Sequence, residues 1–501
     1  MRVGMVTIWL VSLLLSGTLV QAEPTLRQFP AVLHAHSVWS TGDQTLDQLV
    51  TRARERGIEA VFLAENHLQR FEYGLPPLRG LLRYRVDFPA VLSKGPEAFL
   101  AAVESVNARQ QDVVLIPGVE VVPHYFWTGH LLAGTLTMHN AQKDLLALGL
   151  YRPEDYWELP VVGNVHGAPW GFSSLWLLSP ALLAIPGVYF LRTRRRRVMR
   201  LRYFRVSEER RLILPAALCL AAAVLLLANN FPFRRPSASP YDAEAGLAPH
   251  QRVIDFVTAR GGLAVWSLPE ARDQHVVTVG GLRATIHTDP FPSDLLGTDR
   301  FAAFGGIYED TTTFTIPGHG WDQLLLDYLA GRRTAPAWAF GEAAYHSEGQ
   351  AGKWLGAVQT VVLAERKNAA DLLQGLRSGR AYALIRTQDD GLRLDRFQVN
   401  SPDQGPAEAG SRILLRPGDR PEVIAAVGTL SGRSLSVEAR LIRSNAVIHS
   451  VRGGTPIVLW WQEPPLAPGD NLYFRLEVRG PAGHQILSNP IFIHTSRESR
   501  S

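Results

Sequence analysis

The sequence predicts an α/β protein, a parallel barrel or doubly wound sheet, interrupted by a two-helix membrane hairpin and followed by an all-β sandwich. Three observations predict it. Short apolar strands alternate with amphipathic helices up to about Asp390, two uncharged apolar runs interrupt that pattern, and helical periodicity vanishes after it. With 501 residues, 46% of them hydrophobic, the chain can bury two or three cores, which excludes a disordered polymer. Its formal charge of +5 is local: ten arginines against two glutamates lie between Arg192 and Arg211, so the remainder is slightly acidic. Cys219 is the single cysteine, which excludes internal disulfides and a cysteine-built zinc site.

Residues 1–22 read as a secretory signal peptide, with Arg2, an apolar run from Met5 to Val20 and a small-residue exit at Val20-Gln21-Ala22. An uncleaved anchor helix is the other reading, and on either the following chain starts outside the cytoplasm. Residues 30–168 form the first part of the α/β unit. A helix begins near Leu46, with Leu46, Leu49, Val50 and Ala53 on one face, Thr45 as N-cap and Gly57 as stop. Strands are expected over Ile58 to Leu63 and Val113 to Ile116, with a helix over Pro96 to Arg109 between them. The stretch FEYGLPPL from Phe71 to Leu78 is expected to be a rim loop.

Residues 169–233 hold two uncharged runs, Pro169 to Leu191 and Leu212 to Phe233, each long enough to cross a bilayer. The arginine block between them belongs on the cytoplasmic side, so both flanking parts face outward, in the periplasm of an inner-membrane protein. That position argues against a nucleic-acid patch and for contact with anionic membrane lipid. Residues 245–390 form the second part of the α/β unit. Over 391–497, strands at Leu392 to Val399, Val423 to Thr429, Leu435 to Ile442, Ile457 to Trp461 and Leu472 to Val478 predict an immunoglobulin-like sandwich, suited to packing or to a protein partner.

Polar residues recur where apolar strands end. His34 and His36 follow Ala31-Val32-Leu33, Glu65 and His67 follow Val61-Phe62-Leu63, Glu120 ends LIPGVE, and Glu342 and His346 follow Trp338-Ala339-Phe340. Carboxyl ends of strands are where barrel enzymes place their chemistry. In an extended segment His34 and His36 share a face. Imidazoles with carboxylates suit zinc, manganese or iron, and the attacking group is then a metal-bound water. The histidines His124, His130, His139, His166, His275, His287 and His319 lack paired spacing and read as surface or hydrogen-bonded.

Several segments resemble the PHP (polymerase and histidinol phosphatase) superfamily, in its carbaryl-hydrolase-like branch. They are LHAHSVWSTGDQTLDQLVTRARERGIEAVFLAENH, LIPGVEV, GGLAVWSLPEA, FGEAAYHS and VVLAERKNAADLLQGLRSGRAYA, in that order, together with a closing SNPIFI strand. The resemblance implies a distorted (β/α)7 barrel with two or three metals at its mouth. It places His34, His36, Glu120 and His346 at matching ligand positions. Thr41, Leu268 and Ala344 replace usual ligands, and Glu65-Asn66 replaces an Asp-His pair, with Glu65 still expected to coordinate the metal. The metal motifs are therefore degenerate, and fewer ions than usual are expected. His67 stands in for the missing imidazole at Asn66, Glu342 for the carboxylate missing at Ala344, and Asp144 occupies a further ligand position. Two functions compete: a membrane-anchored metal-dependent hydrolase of a small ester or phosphoester, and an inactive barrel that binds a ligand or an envelope partner.

Overall fold

The computed structural model describes residues 26–496 apart from 169, 201–202, 204, 235–237, 311 and 402–404. The signal peptide expected over 1–22 lies outside the described residues. Among the described residues the fold is mixed α/β with six sheets.

Local signals set the first elements. Thr45 caps the helix Leu46–Glu55 by accepting from Gln48 N, while the Gln48 side chain accepts from Thr45 N, a reciprocal capping box. Leu46, Leu49, Val50 and Ala53 are its buried face. Gly57 follows at φ +71°, a conformation that glycine adopts without steric cost. The helix Pro96–Arg109 matches its expected bounds, and buries Phe99, Val103 and Val106.

Two sheets share the core. In one, Arg27–Ala35 pairs in parallel with Ala60–Leu63, which pairs in parallel with Val114–Ile116. In the other, the order is Trp338–Gly341, Ala303–Ile307, Leu263–Trp266, Leu145–Leu148, Gly118–Val121, Glu65–Asn66. The chain steps from the first sheet to the second twice, at Ala64 and at Pro117. The arrangement is not all-parallel as expected. Leu145–Leu148 runs antiparallel to both neighbours, because the chain after Gly118–Val121 returns through the short strands Phe126–Thr128 and Thr137–His139 with no crossover helix. The expected rim loop is partly strand: Arg70–Gly74 pairs with Arg83–Asp87, and the turn lies between them.

Of the two apolar runs, the second forms one helix, Ile213–Asn230, of mean hydropathy 2.0 over 18 residues. Little of it is buried; Leu214, Leu218 and Val224 are 72%, 63% and 65% exposed. The first run is broken into Phe172–Leu177, Ser179–Leu183 and Ala184–Arg192. Pro180, which lacks an amide donor, sits at the first break. Between the runs, Arg194–Arg200 and Arg205–Arg211 pair as an antiparallel ribbon.

The C-terminal strands are not a detached unit. Ala381–Ile385, beside Val358–Ala364 of the first sheet, pairs with Gln485–Ser488, so that sheet continues into the C-terminal strands and reaches eleven. Leu392–Asn400, Glu422–Thr429 and Ile457–Gln462 form most of a facing four-stranded sheet, with a separate apolar core between the two.

Candidate metal centre

The centre is built at the end of Arg27–Ala35. Its pairing with Ala60–Leu63 shifts between Leu33 and Ala35, and His34 lies at φ +67°. The segment is therefore bulged rather than extended, and the bulge re-aims the imidazole. Chain 341–346 runs alongside: Ala343 N donates to Leu33 O (3.0 Å), Tyr345 N to His34 O (2.9 Å) and His36 N to Tyr345 O (2.8 Å). These bonds bring Glu342 to His34 and His346 to His36.

His34 Nε2 and His36 Nε2 are 3.0 Å apart. Glu120 reaches both, Oε1 lying 3.3 Å from His34 Nε2 and Oε2 3.7 Å from His36 Nε2. Both imidazoles are buried, and all three groups offer ligand atoms within 4.8 Å of one another. Separations of this size are those between neighbours sharing one cation at about 2.0–2.2 Å.

The other expected ligands sit around this core. Glu342 is behind it: Oε1 is 2.6 Å from His34 Nδ1 and accepts from Ser267 Oγ at 2.5 Å, while Oε2 accepts from Leu268 N at 3.0 Å. It thus holds the far nitrogen of His34, as carboxylates do behind metal-bound imidazoles, and does not join the converging atoms. Any side chain at Gly305 would collide with its Oε2. Glu65 accepts from Ser37 N (2.9 Å), Ser37 Oγ (2.5 Å) and Ser40 Oγ, tying down the turn after His36, whose Nδ1 lies 3.1 Å from Ser40 Oγ. His67 turns Nε2 to Tyr156 O at 2.7 Å, leaving a buried Nδ1 without a partner. Asp144, against Glu120, has a buried Oδ1 without a partner. His346 stacks on His36, with centroids 4.1 Å apart, and its Nδ1 lies 2.9 Å from Thr41 Oγ1.

The electrostatics call for positive charge. Burial disfavours a charged His34, but Glu120 and Glu342 outweigh it and raise its pKa. Burial would raise Glu120, yet the neighbouring histidines hold it below the usual carboxylate range. Asp144 is pushed well above that range by burial and then by the charge of Glu120. Burial lifts Glu65 to about 7 against its serine donors, and lowers His67 and His346 to about 4. A site in which carboxylates crowd one another, with Asp144 Oδ1 orphaned, fits a divalent cation.

Sequence reasoning missed three residues. Ser267 donates to Glu342. Lys353 Nζ lies 3.3 Å from Ala344 O and 3.2 Å from Glu309 Oε2, and its charge bears on His36 and His346. Thr41, noted only as a lost ligand, partners His346. At the two apolar positions the backbone is left-handed, Leu268 at φ +41° and Ala344 at φ +42°. Such strain concentrates at functional sites, and at Leu268 it accompanies an amide that donates to Glu342.

No protein-family profile and no curated protein matches the chain. Among solved structures it is similar to a two-domain protein from Bacteroides vulgatus containing a predicted PHP-like metal-dependent phosphoesterase. The TM-score is 0.35 at 10% identity, over 94% of this chain and 95% of that one. A protein from Bifidobacterium adolescentis, provisionally designated a metal-dependent phosphoesterase, gives 0.25 at 14% identity, over 64% and 88%. The C-terminal domain of Wzt gives 0.17 at 8% identity, over 22% and 75%.

Proposed function

We propose that the chain is a PHP-type metal-dependent phosphoesterase anchored in the inner membrane, with its barrel and sandwich on the periplasmic side. The observation that carries this reading is the convergence of His34 Nε2, His36 Nε2 and the Glu120 carboxylate, groups from two separate strand ends. The two core sheets, linked at Ala64 and Pro117, are read as a distorted (β/α)7 barrel around that centre, and the C-terminal sheets as an immunoglobulin-like sandwich. The ordered motifs from Leu33 to Ala383 support the family assignment. At 1.5 Å per residue the exposed apolar helix Ile213–Asn230 is about 27 Å long, close to the ~30 Å hydrocarbon core, and the arginine ribbon at its start supports a cytoplasmic turn.

In this reading His34, His36 and Glu120 hold a single cation, and Asp144 offers a further oxygen. Glu342 fixes the orientation of His34, and Glu65 holds the turn that presents His36. When bound, a zinc, manganese or iron ion would lower the pKa of a coordinated water and polarise a phosphoryl or carbonyl oxygen of a small ester.

One observation favours a second reading. A protonated His34 between Glu120 and Glu342 satisfies both carboxylates without a metal, and Leu268 and Ala344 offer no ligand atoms. On that reading the barrel is inactive and binds a ligand or an envelope partner, the latter through the sandwich. Elemental analysis of the purified full chain, paired with bis(p-nitrophenyl) phosphate hydrolysis, separates the two. A stoichiometric divalent metal that His36→Ala removes together with hydrolysis supports the enzyme; neither metal nor hydrolysis in the unmodified chain overturns it.

A further inference from the structure

A half-open, mostly apolar cavity of about 230 Å³, walled by Phe71, Val122, Met138 and Val277 with Gln142 and His275 among its polar residues, lies next to chain segments that carry the metal centre. It exceeds the ~150 Å³ of an apolar cavity that takes up benzene. The chain itself fixes its position. Val122 is two residues past Glu120, Gln142 is two before Asp144, and Leu68 follows His67. At about 3.3 Å per residue these wall residues lie within ~7 Å of the site's backbone.

The cavity adjoins a larger cleft of about 750 Å³, sharing Leu68, Arg70, Phe88, Tyr125 and Gly163 with it. Among the described residues, Arg70, Arg83, Arg85 and Arg234 line this cleft against two acids, Glu72 and Asp87, so its described lining is net positive. Arg70 pairs with Asp87 at 2.5 Å, Arg85 with the same carboxylate at 2.6 Å and Arg83 with Glu72 at 3.3 Å. Two acids thus organise three guanidinium groups without neutralising them. The cleft's other wall is the end of the apolar helix and the turn after it, from Asn229 to Pro232. That end is fastened: Gly80 N donates to Asn229 Oδ1 and Asn230 Nδ2 to Leu177 O, both at 2.8 Å. Gly80 is needed, since a Cβ there would collide with the Asn229 carbonyl.

We propose that cavity and cleft form one binding site for a single-chain lipid with a phosphate headgroup, its chain in the cavity and its phosphate against the arginines. The apolar wall suits an alkyl chain, the guanidinium groups suit phosphate, and the cleft opens where the apolar helix meets the folded unit. The proposal rests on reading Ile213–Asn230 as a membrane span. It concerns binding, which needs neither metal nor turnover, so its failure is distinct from failure of the hydrolase reading.

The test uses the full chain in a neutral maltoside detergent. Trp127 packs edge-on against Phe71, with ring centroids 5.3 Å apart, so tryptophan fluorescence reports filling of the cavity. Three probes are titrated: lauroyl lysophosphatidate, lauroyl lysophosphatidylcholine with the same chain and no net charge, and glycerol 3-phosphate with no chain. Lysophosphatidate is expected to saturate at least tenfold tighter than either other probe. Met138→Phe, or the half-buried Val277→Phe should the first variant fail to fold, is expected to weaken it at least tenfold, and Arg85→Glu to remove the preference over the neutral lipid. Equal binding of the three probes overturns the proposal. So does glycerol 3-phosphate binding as tightly as lysophosphatidate, or a filled cavity with lysophosphatidate binding unchanged.

Discussion

The chain buries charge in two places, and they are built differently. Where the C-terminal sheet packs on the helix Gly320–Leu329, Arg475 is fully buried. Its Nε and one terminal nitrogen donate to the two oxygens of Asp322, at 2.8 and 2.9 Å, and Tyr473 donates to the same carboxylate at 2.6 Å. The remaining terminal nitrogen lacks an acceptor, but the guanidinium lies 4.7 Å over the Trp321 ring. One cation faces one anion. At the metal centre Glu120 and Glu342 flank His34, Asp144 lies against Glu120, and among the described residues buried acceptors on Asp144 and His67 have no partner. One cation balanced by one anion suits a structural role; a cluster in which carboxylates outnumber the cations beside them is a candidate for a ligand.

The largest expected effect falls on the complete pair. Arg475→Met leaves Asp322 buried and uncompensated, and is expected to lower unfolding stability by about 3–5 kcal/mol, read by urea titration of the full chain in detergent. Adding Asp322→Leu should return most of the loss. A single variant within about 1 kcal/mol of the parent would mean that the junction is not held by this pair, and the contrast would fail.

The metal-free centre is next. Glu65 forms no ion pair among the described residues, Lys94 acting on it only weakly, and burial lifts its pKa from 4.5 to about 7. The folded state then keeps a proton that the unfolded chain releases, so the contribution of Glu65 to stability is full below about pH 4.5 and is lost as pH rises to about 7. A shift of this size corresponds to at most about 3 kcal/mol. Glu65→Gln should flatten that slope when melting is followed in chelator. A slope unchanged in the variant assigns it to other groups.

The contrast also explains what could be read in the sequence. Local features were legible: Thr45 and Gln48 cap a helix through neighbours three apart, and Pro96–Arg109 carries its own periodicity. His34, His36 and Glu120 stood out because each ends an apolar strand. The rest depends on distant pairing. Nothing within Leu145–Leu148 signals that it runs antiparallel, and nothing in Ala381–Ile385 signals that it joins the C-terminal sheet. Glu342 was legible as a carboxylate but not as the partner of His34 Nδ1, a contact across 308 positions. The Arg475–Asp322 pair, across 153 positions, was equally hidden.

Glu342→Gln sharpens the distinction between holding a cation and orienting its ligand. The amide preserves shape but removes the charge behind His34, and metal affinity is expected to fall about 10–100-fold, as for other partners of metal-bound imidazoles. Competition with a fluorescent chelator measures it. A complete loss of metal, equal to that in His36→Ala, would instead place Glu342 among the ligands.

The smallest effect is expected at Ser267, whose hydroxyl donates to Glu342 and lies 3.4 Å from His34 Nδ1. Ser267→Ala removes one donor from a carboxylate that keeps the Leu268 amide and His34. The hydrogen bond is to a charged group, worth about 1.5–3 kcal/mol in total, so only part of that should reach the metal. Affinity is expected to drop less than tenfold, with melting temperature little changed. The combination with Glu342→Gln decides the route. If Ser267 acts through Glu342, its loss adds little once the charge is gone, because neighbouring residues that share one partner are not additive. Full additivity would mean that the hydroxyl reaches His34 directly, and that the left-handed turn at Leu268 supports the imidazole without the carboxylate.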